Sequence, residues 1–148
     1  MLPFPDNTFD LVIYTLSLHH HQDGIQALRE AARVVKSNGR ILVIEPLVDG
    51  EIERLFAILH DEDEDKLAAQ KAVRESGLIL IQSEIFHADW VFDSKEEMCV
   101  SVFEYYEVPY DPLLAREMVD LVAGYGDDSP LTLTDSMSIQ VLAKNAIL

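Results

Sequence analysis

Apolar residues along this chain alternate between two periods. Residues 9–16, FDLVIYTL, are apolar almost throughout, the pattern of a central strand covered on both faces in a parallel sheet. In the following HQDGIQALREAARVVKSNG, Ile25, Leu28, Ala32 and Val35 recur at helical spacing, while Arg29, Glu30, Arg33 and Lys36 fill the other faces. Asp23 is placed to cap this helix, Gln26 to reach back to it, and Asn38-Gly39 to stop it in a left-handed turn. Residues 39–47, GRILVIEPL, read as a second buried strand ending at Pro46, so strand, helix and strand make a right-handed crossover unit.

The acidic run HDEDED at residues 60–65 opens a helix through DKLAAQKAVRESG, because carboxylates at a helix N-terminus face its dipole favourably; Gly77 ends it. Residues 78–92 are strand-like, with a turn or bulge expected before Trp90. Two further helices follow. One starts at Ser94, with Glu97 completing a capping box, and the other has Asp111 as cap and Pro112 in its first turn. Residues 130–144 close the chain as a strand antiparallel to the rest, giving the order βαβαβααβ.

With 148 residues and 49% hydrophobic side chains, one domain spanning residues 1–148 has enough apolar material for a core. The 27 Asp and Glu against 11 Lys and Arg give a formal net charge of -16, a field that repels phosphate backbones and anionic lipid, so neither nucleic acid nor membrane is expected as a partner. A lone Cys99 makes no internal disulfide and reads as a buried, inert thiol; with no secretory or membrane-spanning pattern, a cytoplasmic setting is expected.

The stretch LPFPDNTFDLVIYTLSLHHHQDGIQALREAARVVKSNGRILVIEP resembles the middle of a class I S-adenosylmethionine-dependent methyltransferase, of the group that includes the ubiquinone and menaquinone biosynthesis enzymes. Leu2-Pro3-Phe4 before an acidic turn, Phe9-Asp10 entering a strand, His19-His20 after it and LREAARVVKSNGRILVIE carry the likeness together. It implies an α/β, partial Rossmann-like methyltransferase sheet made of the C-terminal strands. The last strand would be antiparallel, helices would flank the sheet, and two extra helices would precede the final strand. It also implies that the cofactor-binding strands, with their Gly-rich turn and ribose-holding acid, lie N-terminal to Leu2.

On that resemblance the donor is S-adenosylmethionine, Leu2 lies near its adenine, and Tyr14, Thr15, Leu16 and His19 edge it. The chain is then a truncated or split C-terminal half acting on a small-molecule acceptor; the alternative is an inactive methyltransferase-like binding or oligomerisation module. Either way the apolar strand at residues 10–16 becomes an edge that must be covered, by a second copy in a homodimer or by a complementary N-terminal half. GYGDD at residues 124–128 is no substitute for the cofactor turn, since it follows a helix and leads to a strand.

His19 and His20 are the candidates for orienting a substrate or acting as a base near neutral pH; a turn histidine bonded to backbone is the plainer alternative. A metal role is not expected for His19–His21, because neighbouring side chains diverge and no acidic partner stands at a ligand spacing. DEDED begins like a calcium loop, but Lys66 stands where that loop needs Gly and Ala72 where it needs Glu. Glu45, ending the second strand, sits where open α/β sheets place ligand-facing groups; the plainer reading is a carboxylate paired with Arg40, Lys36 or solvent. The residues Met98, Val102, Phe103, Tyr105, Tyr106, Tyr110, Met118, Leu121 and Val122 suit a core or oligomer contact, or a lid over substrate.

Overall fold

The computed structural model describes residues 1–125 and 130–144. Four strands, β1 (Phe9–Thr15), β2 (Val35–Pro46), β3 (Ile79–Phe92) and β4 (Leu131–Ala143), form one sheet in the order β1-β2-β4-β3. β1 and β2 run parallel, and β4 runs antiparallel to both β2 and β3. The helices are α1 (Gly24–Val34), α2 (Glu51–Phe56), α3 (Asp63–Glu75), α4 (Lys95–Tyr105) and α5 (Pro112–Leu121), with a single 3-10 turn at Leu18–His20 and another at Ala123–Tyr125. The expected α/β sheet with an antiparallel last strand and two helices before it is therefore present. The expected motif at residues 124–128 lies only partly within the described residues.

Local signals fix most element ends. The Asp23 carboxylate accepts from the Gln26 N–H at 2.9 Å, Ser94 Oγ from the Glu97 N–H at 3.1 Å, and Asp111 from the Leu113 N–H at 2.8 Å. Glu97 in turn accepts from the Asp93 N–H, so the box closes one residue earlier than expected. Gly77 follows α3 with φ +78, a left-handed conformation that costs glycine little.

Three expectations change. Helix α1 ends at Val34, and Asn38-Gly39 belongs to β2 instead of stopping the helix. Phe9 faces Val35 while Leu11 faces Arg40, so β2 bulges between these pairs; a Cβ on Gly39 would lie 2.7 Å from the Asp10 carbonyl oxygen. The irregularity expected before Trp90 lies instead between Leu80 and Gln82. Third, β1 is the edge strand that the resemblance implied, but it is covered on one face and not on both: Leu11 and Ile13 are about half exposed. Helix α2 was not foreseen, being six residues long with no side-chain cap.

Two apolar cores result. One packs α1 and α3 against Tyr14, Ile41, Val43 and Leu142. The other lies where β4, from Leu131 to Asp135, has run past the Pro46–Met137 pair and has β3 as its strand partner. There Leu131, Leu133 and Phe92 meet Ile52, Leu55 and Phe56 of α2, Met98, Val102 and Phe103 of α4, and Met118 of α5. The two late helices are thus chiefly core, and Cys99 is buried among them with its thiol pushed up by burial. No helix among the described residues is long and apolar enough to cross a membrane.

Candidate functional site

β1 ends on Leu16, whose φ of +49 is uncommon for a branched side chain and turns the chain sharply while its N–H still donates to the Ile44 carbonyl at 2.9 Å. That turn brings residues 17–19 over the carboxyl end of β2. Glu45, 2% exposed, accepts from the Ser17 N–H at 3.0 Å and the Leu18 N–H at 2.6 Å, and its other oxygen takes His19 Nδ1. The expected partners of Glu45 are engaged elsewhere: Lys36 bonds Asp10, and Arg40 bonds the carbonyls of Asn38 and Gly39. Glu45 is thereby the brace of the loop after β1, a placement that the crossover topology dictates and local sequence does not.

His19 is buried, and the hydrogen bond to Glu45 holds its imidazole above the usual range despite the opposing cost of burial. Beneath it Lys66 of α3 forms a buried ion pair with Glu53 of α2 and lies 3.8 Å from Glu62. Asp135 of β4, 1% exposed, is the last member; burial and the nearby Glu53 raise its carboxyl to about 6. Gly50, just before α2, is what lets the chain come this close, for a Cβ there would lie 2.5 Å from Asp135 Oδ1.

Above these groups opens a cleft of about 180 Å³ at the carboxyl ends of β1 and β2, where open α/β sheets place ligands. Its polar wall is His19, His20, Glu53, Glu62, Lys66 and Asp135, and its apolar wall includes Phe56, Trp90, Tyr105 and Tyr106. Phe56 is the hub of that aromatic wall: it stacks on Tyr105 at 5.0 Å and meets Trp90 and Tyr106 edge-on at 5.9 and 5.4 Å. Phe103 of α4 is in the core, as the core reading expects, while Tyr105 and Tyr106 at its end line the cleft.

The fold divides the residues expected to edge the cofactor. Leu2 and Tyr14 share a second cleft of about 270 Å³ with His21, Asp23 and Glu30, where Tyr14 is committed by a 2.8 Å bond from its hydroxyl to the Ala27 carbonyl. Thr15 and Leu16 line an apolar hollow with Ile44, Phe86, Met137 and Ile139, and Leu16 and His19 also reach the acidic cleft. The expected residues thus line different clefts, and no Gly-rich strand-to-helix turn that could cradle the cofactor is found among the described residues.

Sequence reading passed over Glu53, Lys66 and Asp135 as site residues, although each carries a signal. Lys66 falls in register with Ala69 and Val73 on the buried stripe of α3, Asp135 continues the alternation of Leu131 and Leu133, and Glu53 sits between Ile52 and Leu55. A charge in a core register asks for a partner.

Comparison with known proteins gives these features a context. A methyltransferase-domain family model matches residues 1–43. The chain is 35% identical over 83 residues to the uncharacterized methyltransferase YcgJ of Bacillus subtilis, a match covering 52% of this chain and 29% of that protein. It is 51% identical over 51 residues to the ubiquinone/menaquinone biosynthesis C-methyltransferase UbiE of Pasteurella multocida, covering 32% of this chain and 19% of that protein. The matches thus span less than a third of these curated relatives.

In fold, the crystal structure of Bacillus subtilis YcgJ aligns with a TM-score of 0.61 at 19% identity, covering 99% of this chain and 68% of that one. The [4+2]-cyclase SpnF aligns at 0.54 and 18% identity, covering 99% of this chain and 53% of that one. Over residues 1–43 the chain is thus similar in sequence to methyltransferase domains, and over its described residues it shares the fold of solved methyltransferase-like structures.

Proposed function

We propose that this chain is the C-terminal half of an S-adenosylmethionine-dependent methyltransferase acting on a small molecule, and that its sheet is completed by a cofactor-binding half. The observation that carries this reading is the open flank of the sheet. Among the described residues no strand lies on the outer side of β1, and by strand pairing Ile13, Thr15, Ile44, Ile139, Met137 and Phe86 share a face, on which Ile13 and Phe86 are more than half exposed. An apolar edge and an apolar face side by side call for a partner. In the resembled family that is the position of the earlier strands and their helices.

S-adenosylmethionine, when bound, supplies a methyl group on an activated sulfonium, so the protein's task is alignment more than acid or base chemistry. Leu2 would lie by the adenine, and Thr15, Leu16 and the backbone of Tyr14 would edge the donor. His19, fixed by Glu45, and His20 beside it would face the acceptor, which enters through the aromatic cleft. Four aromatic rings favour a flat, largely apolar acceptor.

A chimera tests the reading: the N-terminal part of Bacillus subtilis YcgJ, up to the stretch matching Leu2, is fused ahead of this chain. Calorimetry with S-adenosylhomocysteine is expected to show saturable one-to-one binding to the chimera and none to the 148-residue chain at millimolar ligand. A folded chimera that fails to bind would count decisively against it.

A second reading, a non-methylating binding or oligomerisation module, is favoured by the same exposed edge, and a cyclase on a related fold illustrates how the architecture serves other ends. Both readings place a second copy on the edge at residues 10–16 when no other half is present. Light scattering on the chain alone at micromolar concentration is expected to give a dimer or larger species, and a clean monomer would refute that pairing.

A further inference from the structure

The three consecutive histidines part company in the fold. His21 turns toward Tyr14, with ring centroids 5.8 Å apart, and lines the cleft that Leu2 shares. His19 and His20 face the acidic cleft, their ring centroids 4.0 Å apart. Glu62, at the start of α3, completes the group: its two oxygens lie 3.9 Å from His19 Nε2 and 3.7 Å from His20 Nδ1. One ligating atom from each of the three residues falls within 4.8 Å of the others. The acidic partner that sequence spacing did not offer is supplied by a helix more than forty positions away.

A second observation concerns how His19 is held. Its Nδ1 is bound by the buried Glu45 carboxylate, which fixes the ring and directs Nε2 at Glu62. A carboxylate behind the far nitrogen of an imidazole is the usual support of a metal-ligating histidine, because it sets the tautomer and makes the near nitrogen a better donor. Glu53 and Asp135 add negative charge to the cleft, and Lys66, the one lysine or arginine lining it among the described residues, is paired with Glu53 and lies farther, at 3.8 Å, from Glu62.

We propose that His19 Nε2, His20 Nδ1 and a Glu62 oxygen bind a divalent transition-metal ion of the zinc type. Two imidazoles and one carboxylate suit zinc, and the nitrogen donors disfavour calcium and magnesium, which take oxygen. Zinc bonds of about 2.0–2.2 Å put tetrahedral ligands roughly 3.3 Å apart. The gaps present are 3.7 Å from His20 and 3.9 Å from His19; His20, whose side chain is 60% exposed, is free to close the first, and a small shift of the Glu62 carboxylate closes the second. Three protein ligands leave the fourth position to water, the open form of such a site. His60, 3.3 Å from Glu62 Oε1, helps orient the carboxylate.

The full chain is titrated with zinc sulfate by calorimetry, alongside His20→Ala, Glu62→Gln and His21→Ala, with circular dichroism confirming that each is folded. The wild type is expected to bind one zinc ion per chain. His20→Ala and Glu62→Gln should weaken binding by about 30-fold or more, and His21→Ala by less than threefold. Cobalt in place of zinc should give the strong visible absorption of four-coordinate cobalt. If His21→Ala weakens binding as much as His20→Ala, the run captures metal as a flexible histidine segment and the proposal falls. It falls equally if the wild type shows no saturable zinc binding. Neither result depends on methyl transfer or on cofactor binding.

Discussion

Replacing Lys66 with Met is expected to destabilise the protein by about 3–5 kcal/mol, a large share of the 5–15 kcal/mol that holds a domain together. Lys66 and Glu53 are each about 5% exposed and form an ion pair inside the cleft floor. Met keeps most of the Lys volume, so the loss is not one of packing. What changes is that Glu53 keeps its charge in a poorly solvated place, with Asp135 and Glu62 nearby and no cation among them. The energy of such a pair is lopsided: removing one partner strands the other, whereas replacing both with apolar groups of similar size is often neutral. Glu53→Leu with Lys66→Met should therefore recover to within about 1 kcal/mol of the wild type. Urea unfolding followed by circular dichroism measures all three variants. A single Lys66→Met variant within 1 kcal/mol of wild type would show that Glu53 finds water or a proton, and that the floor of the cleft is not as dry as its burial implies.

The elements that could be read from the sequence were those written by neighbours in the chain. Asp23, Ser94, Asp111 and Gly77 mark helix ends because a cap and the groups it satisfies lie within a few residues of each other. β2 shows itself by the apolar run of residues 41–44, and β4 by the alternation that begins at Leu131 and Leu133. Asn38-Gly39 misled because a local stop signal was overridden: with β1 alongside, the chain gains more by pairing Val35 with Phe9 than by one further helical turn. β1 misled in another way. FDLVIYT is apolar enough to be covered on both faces, and the uncovered half of that pattern remains as an exposed apolar edge and face.

The site was harder to read than the fold, for a physical reason. His19 and Glu45 are 26 positions apart, Glu53 and Lys66 13, and Asp135 comes from the last strand; only the crossover of strands and helices brings them to one place. Sequence reading named His19 and His20 as candidates after β1 and set Glu45 at the end of β2, and the structure brings these three side chains together. Sequence reading could not name their partners. Each of the buried charges interrupts an apolar register, and that interruption is visible in the sequence even when its partner is not.

Asp135 carries the clearest pH signature. Its carboxyl is raised from an ordinary value of 3.8 to about 6, first by burial and then by the charge of Glu53, while the Ser136 N–H and Lys66 pull the other way. Between those two values the folded protein binds a proton that the unfolded chain does not, so stability falls as pH rises through that window and is level above it. Above about pH 6 the folded state carries the full cost of the buried charge. Asp135→Asn removes that cost and keeps the oxygen that accepts from the Ser136 N–H at 2.8 Å. The variant is therefore expected to be more stable than the wild type at pH 8 by on the order of 2 kcal/mol, with the gap shrinking by about 1–2 kcal/mol at pH 5. Comparing the two proteins at each pH cancels the contribution of groups remote from Asp135, and pH 5 stays above the isoelectric point of about 4.4, where the chain would precipitate. Urea midpoints at pH 5, 6, 7 and 8 supply the measurement. A difference that stays constant from pH 5 to pH 8 would mean that Asp135 does not exchange its proton in this window, and that the charge in the cleft is settled by Glu53 and Lys66 alone.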